Sequence, residues 1–195
     1  MGRGRLEAFS DAVIAIILTI MVLELKSPHG HEWSSLQPLI PVIFAYVLSF
    51  LYVAIYWNNH HHMMHTVQHV DGRILWANLH LMFWLSLIPA TTAWMGESHF
   101  ATAPTILYGA VLLACSLAYM VLTFAIRAEH GPDSQLAKAL GSDWKGNASN
   151  VLYVTGVIAS FFAPLIGVAI YLGTAGLWLI PDRRIARQLQ KTEKV

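Results

Sequence analysis

Residues Arg5–Lys26, RLEAFSDAVIAIILTIMVLELK, decide the fold. From Ala12 to Leu23 the run holds only Ala, Val, Ile, Leu, Met and a single Thr, longer than a strand needs and naturally helical. At a rise of about 1.5 Å per residue, Phe9 to Leu25 covers roughly 25 Å, slightly less than a bilayer core, and the flanking turns out to Arg5 and Lys26 complete a crossing. Glu7, Ser10 and Asp11 interrupt the apolar pattern where a simple anchor would already be greasy. A carboxylate at that depth is costly unless it faces protein or water, so Asp11 demands a partner.

The composition agrees with a membrane protein. The chain has 195 residues, 56% hydrophobic and only 12% charged, with a net charge of +1. That is far more apolar than a soluble domain of this size, and the near-neutral balance excludes nucleic acid as a partner. The single cysteine, Cys115, lies in an apolar run and reads as a small buried hydrophobe. The run after Asp11 is too long for a signal-peptide core and no small-residue cleavage pattern follows it, so the first helix is expected to stay in the mature protein.

Working outward, Ser27–Ser35 carries turn residues, and the next span is expected at 36–57, with Pro38 and Pro41 in its first turns and Tyr52, Tyr56 and Trp57 as an aromatic belt. A polar connector is expected from Asn58 to Arg73, holding His60, His61, His62, His65 and His69. Further spans are expected at 74–94, 104–126, 148–163 and 165–181, the last two divided by Pro164. Gly109, Ala110, Ala114, Ser116 and Ala118 allow close helix approach in the fourth. Between the fourth and fifth lies a polar insertion with a short surface helix expected around Leu136–Leu140. The chain is thus an all-α integral membrane protein, a single six-helix domain over 1–195 with its first span at 5–26. With both termini cytoplasmic, Arg3, Arg5, Arg73, Arg127, Lys138, Lys145, Arg183, Arg184, Arg187, Lys191 and Lys194 fall inside and only Lys26 outside, as the charge bias of membrane proteins requires.

The pattern Arg5-x-x-x-Phe9-Ser10-Asp11 resembles the signature of the transmembrane protein 175 family, the endolysosomal potassium channel family, in a prokaryotic single-repeat form. The likeness extends to Tyr56-Trp57-Asn58, His60-His61, the helix from Asn78 to Pro89 and the closing Ile180-Pro181-Asp182-Arg183-Arg184. It implies a potassium-selective or potassium-preferring cation channel in a prokaryotic plasma membrane, with no cofactor beyond the permeant potassium ion. The animal relatives carry two six-helix units per chain, so the resemblance implies a homotetramer here, with the first helix lining a central pore. Counted from Asp11, Ile16, Ile20 and Leu23 match the family's hydrophobic constriction, and Thr19 borders the same stripe. No Thr-Val-Gly-Tyr-Gly filter is present, so selection would come from an apolar constriction at which ions shed water, which potassium does more easily than sodium.

The resemblance also assigns Arg5, Phe9, Ser10 and Asp11 to polar support of the pore helix, with His61, Trp76, Asn78 and His80 as candidate partners. Two alternatives stand beside this. Asp11 and Ser10 could simply cap a helix N-terminus, with Arg5 snorkelling to the headgroups. His61, His65 and His69, spaced i, i+4, could share a helical face and bind a metal, as in a histidine-rich membrane enzyme of the desaturase type. Such enzymes need several histidine boxes, and outside the cluster only His29, His31, His80, His99 and His130 remain, scattered. No metal required for activity is therefore expected, and the partners expected are further copies of the chain, monovalent cations and membrane lipid.

Overall fold

The computed structural model describes residues 2–131 and 143–179. They form seven α-helices and one short 3-10 helix: α1 (Arg3–Leu23), the 3-10 helix Trp33–Leu39, α2 (Ile40–His65), α3 (Gly72–Leu85), α4 (Ile88–Glu97), α5 (Thr102–His130), α6 (Trp144–Phe162) and α7 (Pro164–Leu179). No strand occurs among the described residues. The surface helix expected near Leu136–Leu140 and the closing basic segment from Ile180 lie outside them.

Helix ends follow from local chemistry. Asp71 caps α3 through Ile74 N–H at 2.8 Å, and Asp143 caps α6 through Gly146 N–H at 3.1 Å. Gly131, at φ 78°, ends α5 in a conformation that residues with a Cβ rarely adopt. Ala163 is extended, as the residue before a proline prefers to be, and Pro164 opens α7. Pro89, in the first turn of α4, has no N–H to return to the preceding turn, and the third crossing is accordingly broken at Ser86–Leu87 into α3 and α4. Taken as one unit, α3 and α4 cover 26 residues. Among the described residues, four segments are long and apolar enough to cross a membrane: α1, the 3-10 helix with α2, α3 with α4, and α5. With α6 and α7 this makes six helical units.

One expectation is corrected. His60, His61, His62 and His65 do not sit in a polar connector, because α2 runs on to His65. Nothing between Trp57 and His65 breaks a helix, and the Thr66 hydroxyl ends it by donating to Met63 O at 2.7 Å. Only His69 of the five remains in the connector.

The core lies between α2, α3, α4, α5, α6 and α7, with α5 packed along α3 and α6. Tyr52, Tyr108 and Tyr171 are fully buried in it, and their hydroxyls are paired: Tyr52 donates to Tyr171 O at 2.6 Å and Tyr108 shares a 2.9 Å bond with Ser49. A Cβ at Gly109 or Gly156 would collide with Tyr171, so these glycines are what admit its ring between α5, α6 and α7. Helix α1 lies at the edge of this core, adding Leu6, Ile14, Ile17 and Met21 to it from the side that packs on α2, α3 and α4. At its far end Lys26 pairs with Glu97 of α4, which holds the Lys26 ammonium above its ordinary pKa.

Candidate pore helix and its polar anchor

The side chains of α1 divide sharply by face. Leu6, Ser10, Ile14, Ile17 and Met21, spaced by four, four, three and four, form its buried stripe. Ile16, Ile20 and Leu23 are 58%, 42% and 76% exposed, against 2% for Ile17. Thr19 and Phe9 share the uncovered side, and the Thr19 hydroxyl donates to Ala15 O at 2.8 Å. The stripe singled out from sequence is therefore the one that no other helix of the described chain covers.

A directional hydrogen-bond chain fixes the buried stripe. The Ser10 hydroxyl donates to Leu6 O at 2.9 Å and so has a lone pair free to accept from Asn78 Nδ2, also at 2.9 Å. Asn78 Oδ1 then faces His60, whose Nε2–H donates to it at 2.8 Å. Ser10, Asn78 and His60 are all buried, and they join α1, α3 and α2 at one point. Such chains are costly to leave half-made in an apolar interior. His60 Nδ1 has no hydrogen-bond partner among the described residues.

Beside this chain runs a ladder between α1 and α2. Trp57 Nε1 donates to Asp11 Oδ1 at 3.0 Å, His61 Nδ1 lies 3.3 Å from Glu7 Oε1, and Arg3 donates to the His65 carbonyl at 3.3 Å. Positions 11, 7 and 3 descend α1 one turn at a time while 57, 61 and 65 climb α2, so the helices run antiparallel in register. Trp57 also stacks on His61, with ring centroids 5.8 Å apart at 23°.

Of the partners expected from sequence, Asn78 meets the signature directly through Ser10, and His61 meets Glu7 rather than Asp11. Trp76 and His80 do not reach it: Trp76 is 72% exposed, and His80 accepts from Trp84 Nε1 at 2.9 Å. Arg5 is exposed, and its side chain makes no hydrogen bond or ion pair among the described residues. The capping alternative fails, because α1 begins at Arg3, with Gly2 at its cap and Asp11 more than two turns inside. Glu7, Trp57 and His60 were the residues missed as partners. Their signal was present in the i, i+4 pairs Glu7–Asp11 and Trp57–His61, which the assumed end of α2 concealed.

A bundle of membrane helices whose first helix is pinned by polar contacts on one side and left apolar and uncovered on the other has the form of a channel subunit. The comparisons name the family. The family model described as endosomal/lysosomal potassium channel TMEM175 matches residues 5–89, which contain α1 from its third residue on and the whole Ser10–Asn78–His60 chain. The chain is 53% identical over 191 residues to a potassium channel of Chryseobacterium sp. (strain P1-3), a match covering 98% of this chain and 100% of that one. The crystal structure of a lysosomal potassium-selective channel TMEM175 homolog from Chamaesiphon minutus superposes with a TM-score of 0.79 at 26% identity, over 92% of this chain and 97% of that one. The endosomal/lysosomal proton channel TMEM175 of Mus musculus is 28% identical over 183 residues, covering 83% of this chain but 35% of its own length. The chain belongs to the TMEM175 family, a family of ion channels and not of enzymes.

Proposed function

We propose that the chain is one subunit of a potassium-preferring cation channel, a homotetramer in which the uncovered face of α1 from four copies lines a central pore. The observation that carries this reading is the contrast on α1. Its polar anchor and buried stripe hold it to its own subunit, while Ile16, Ile20 and Leu23 are left bare on its uncovered side. From the helical rise, four copies on an axis would stack these residues as apolar rings about 6 Å and then about 4.5 Å apart. Rings of this kind impose dehydration on any ion that passes, and potassium, more weakly hydrated than sodium, passes at lower cost. Arg5 is exposed and free to meet a neighbouring copy in the tetramer.

The names of the relatives support conduction of potassium, and the mouse relative is named a proton channel. The charge bias supports a plasma-membrane protein with both termini cytoplasmic. Purified protein in liposomes, with potassium, sodium and caesium gradients imposed in turn and a pH dye inside, tests the function. Potassium flux exceeding sodium flux is expected, and a dye response without any alkali-cation flux would replace the potassium reading with a proton one.

A further inference from the structure

Outside the Ser10–Asn78–His60 chain, the lower rungs of the α1–α2 ladder collect a second set of groups. Glu7, His61 and His65 each present a ligand atom within 4.8 Å of the others. His61 Nε2 and His65 Nε2 stand 3.2 Å apart, with ring centroids at 4.5 Å. Zinc binds imidazole nitrogen at about 2.0–2.1 Å, so two such ligands at a tetrahedral angle are separated by about 3.4 Å. The gap between the two nitrogens is close to the edge of that coordination shell.

Protonation states allow the exchange. The Glu7 carboxylate, 3.3 Å from His61 Nδ1, favours the ring proton on that nitrogen and leaves His61 Nε2 with its lone pair, so that His65 is the donor in the 3.2 Å bond between the two Nε2 atoms. A divalent ion between the two nitrogens replaces that one proton, and His65, exposed at the helix end, carries its N–H on the other ring nitrogen instead. A carboxylate on the far side of a metal-bound imidazole is a recurrent second partner that fixes the tautomer and raises basicity. Trp57 stacked on His61 holds the ring plane. Arg3, bonded to the His65 carbonyl, puts a cation nearby and lowers affinity, which suits a site filled on demand.

We infer that His61 and His65, oriented by Glu7, form a transition-metal site at the N-terminal end of α1, and that its occupancy restrains the pore helix. The ion is bound through Nε2 of both histidines with water completing its shell, and borderline metals that favour imidazole, zinc and nickel, are the class it takes. The metal is not required for conduction. Because an ion on His61 Nε2 makes Nδ1–H of the same ring a stronger donor toward Glu7 of α1, it tightens this contact between α2 and α1, opposes movement of α1 away from α2, and so lowers flux. This second step rests on the channel reading above.

The experiment uses the full-length tag-free chain. Calorimetry with zinc in detergent measures binding, and potassium flux in liposomes is compared with and without zinc on both sides, each variant against its own metal-free rate. Wild type is expected to bind one zinc per chain at this site and to lose flux. His65→Ala should lose that binding event and the zinc sensitivity, Glu7→Gln should bind at least about tenfold more weakly, and His80→Ala, outside the cluster, should match wild type. Absence of zinc binding by wild type, or unchanged binding in His65→Ala, overturns the site. Binding that His65→Ala abolishes, with wild-type flux unaltered by zinc, overturns the restraint. No metal-free flux from any variant overturns the channel reading instead, while calorimetry still decides the site.

Discussion

Replacing Asn78 by Leu keeps the volume of the side chain but removes both of its hydrogen bonds, one to Ser10 and one from His60. The Ser10 hydroxyl still donates to Leu6 O, so it loses only an accepted bond. Hydrogen bonds between membrane helices average about 0.6 kcal/mol, so the two bonds contribute about 1 kcal/mol. His60 is left buried with neither ring nitrogen paired, since its Nδ1 already lacks a partner among the described residues. An abandoned buried donor costs about 1–3 kcal/mol, and the expected loss for Asn78→Leu is therefore about 2–4 kcal/mol. Ser10→Ala, which strands only one amide hydrogen of Asn78, should lose about 1 kcal/mol. The difference is measurable by unfolding in mixed detergent micelles, followed by tryptophan fluorescence. A loss below about 0.5 kcal/mol for Asn78→Leu, the range of an ordinary surface substitution, would refute the claim that this chain anchors α1.

Trp57→Phe keeps the stacking on His61 but leaves Asp11 without its indole donor, and should destabilise by about 1 kcal/mol in the same unfolding measurement. Ile17→Ala, in the buried stripe, should cost about 2–5 kcal/mol, whereas Ile16→Ala should leave the stability of the single subunit nearly unchanged. A cysteine at Leu23 should crosslink neighbouring copies on mild oxidation, because the position is 76% exposed on the proposed axial face, while Cys115, fully buried, should not react. Dimers on a denaturing gel are the expected outcome, and monomers alone would move α1 off the axis.

How far the sequence was legible depends on which physical signal each part used. The membrane helices are visible because a crossing needs a long apolar run, and Pro164 separated α6 from α7 because proline cannot continue a helix. The end of α2 was misplaced because histidines and asparagines look like connector residues by polarity alone. In place, His60 is buried with its bond to Asn78, and His61 is partly covered by Glu7 and Trp57, so tertiary partners take up the polarity that composition reads as exposure. For the same reason Trp76 and His80 were grouped with Asn78: all lie on α3, yet only Asn78 is on the face turned to α1. The uncovered stripe on α1 could be named from the signature, but an unbroken apolar run contains every possible stripe. Only the packing of Ile14, Ile17 and Met21 distinguishes one face from the other.

The claim that this bare face lines the conduction path is tested most directly by comparing Ile16→Asn with Ile17→Asn in the liposome flux assay. The two positions are neighbours in sequence and about 100° apart around the helix. Asn at Ile16 should wet the constriction, lower the dehydration cost and raise sodium flux relative to potassium, with assembly intact. Asn at Ile17, only 2% exposed, should reduce folding yield without changing the ion preference of the protein that survives. Equal effects on selectivity at the two positions, or none at Ile16, Ile20 and Leu23, would contradict the account and place the pore elsewhere.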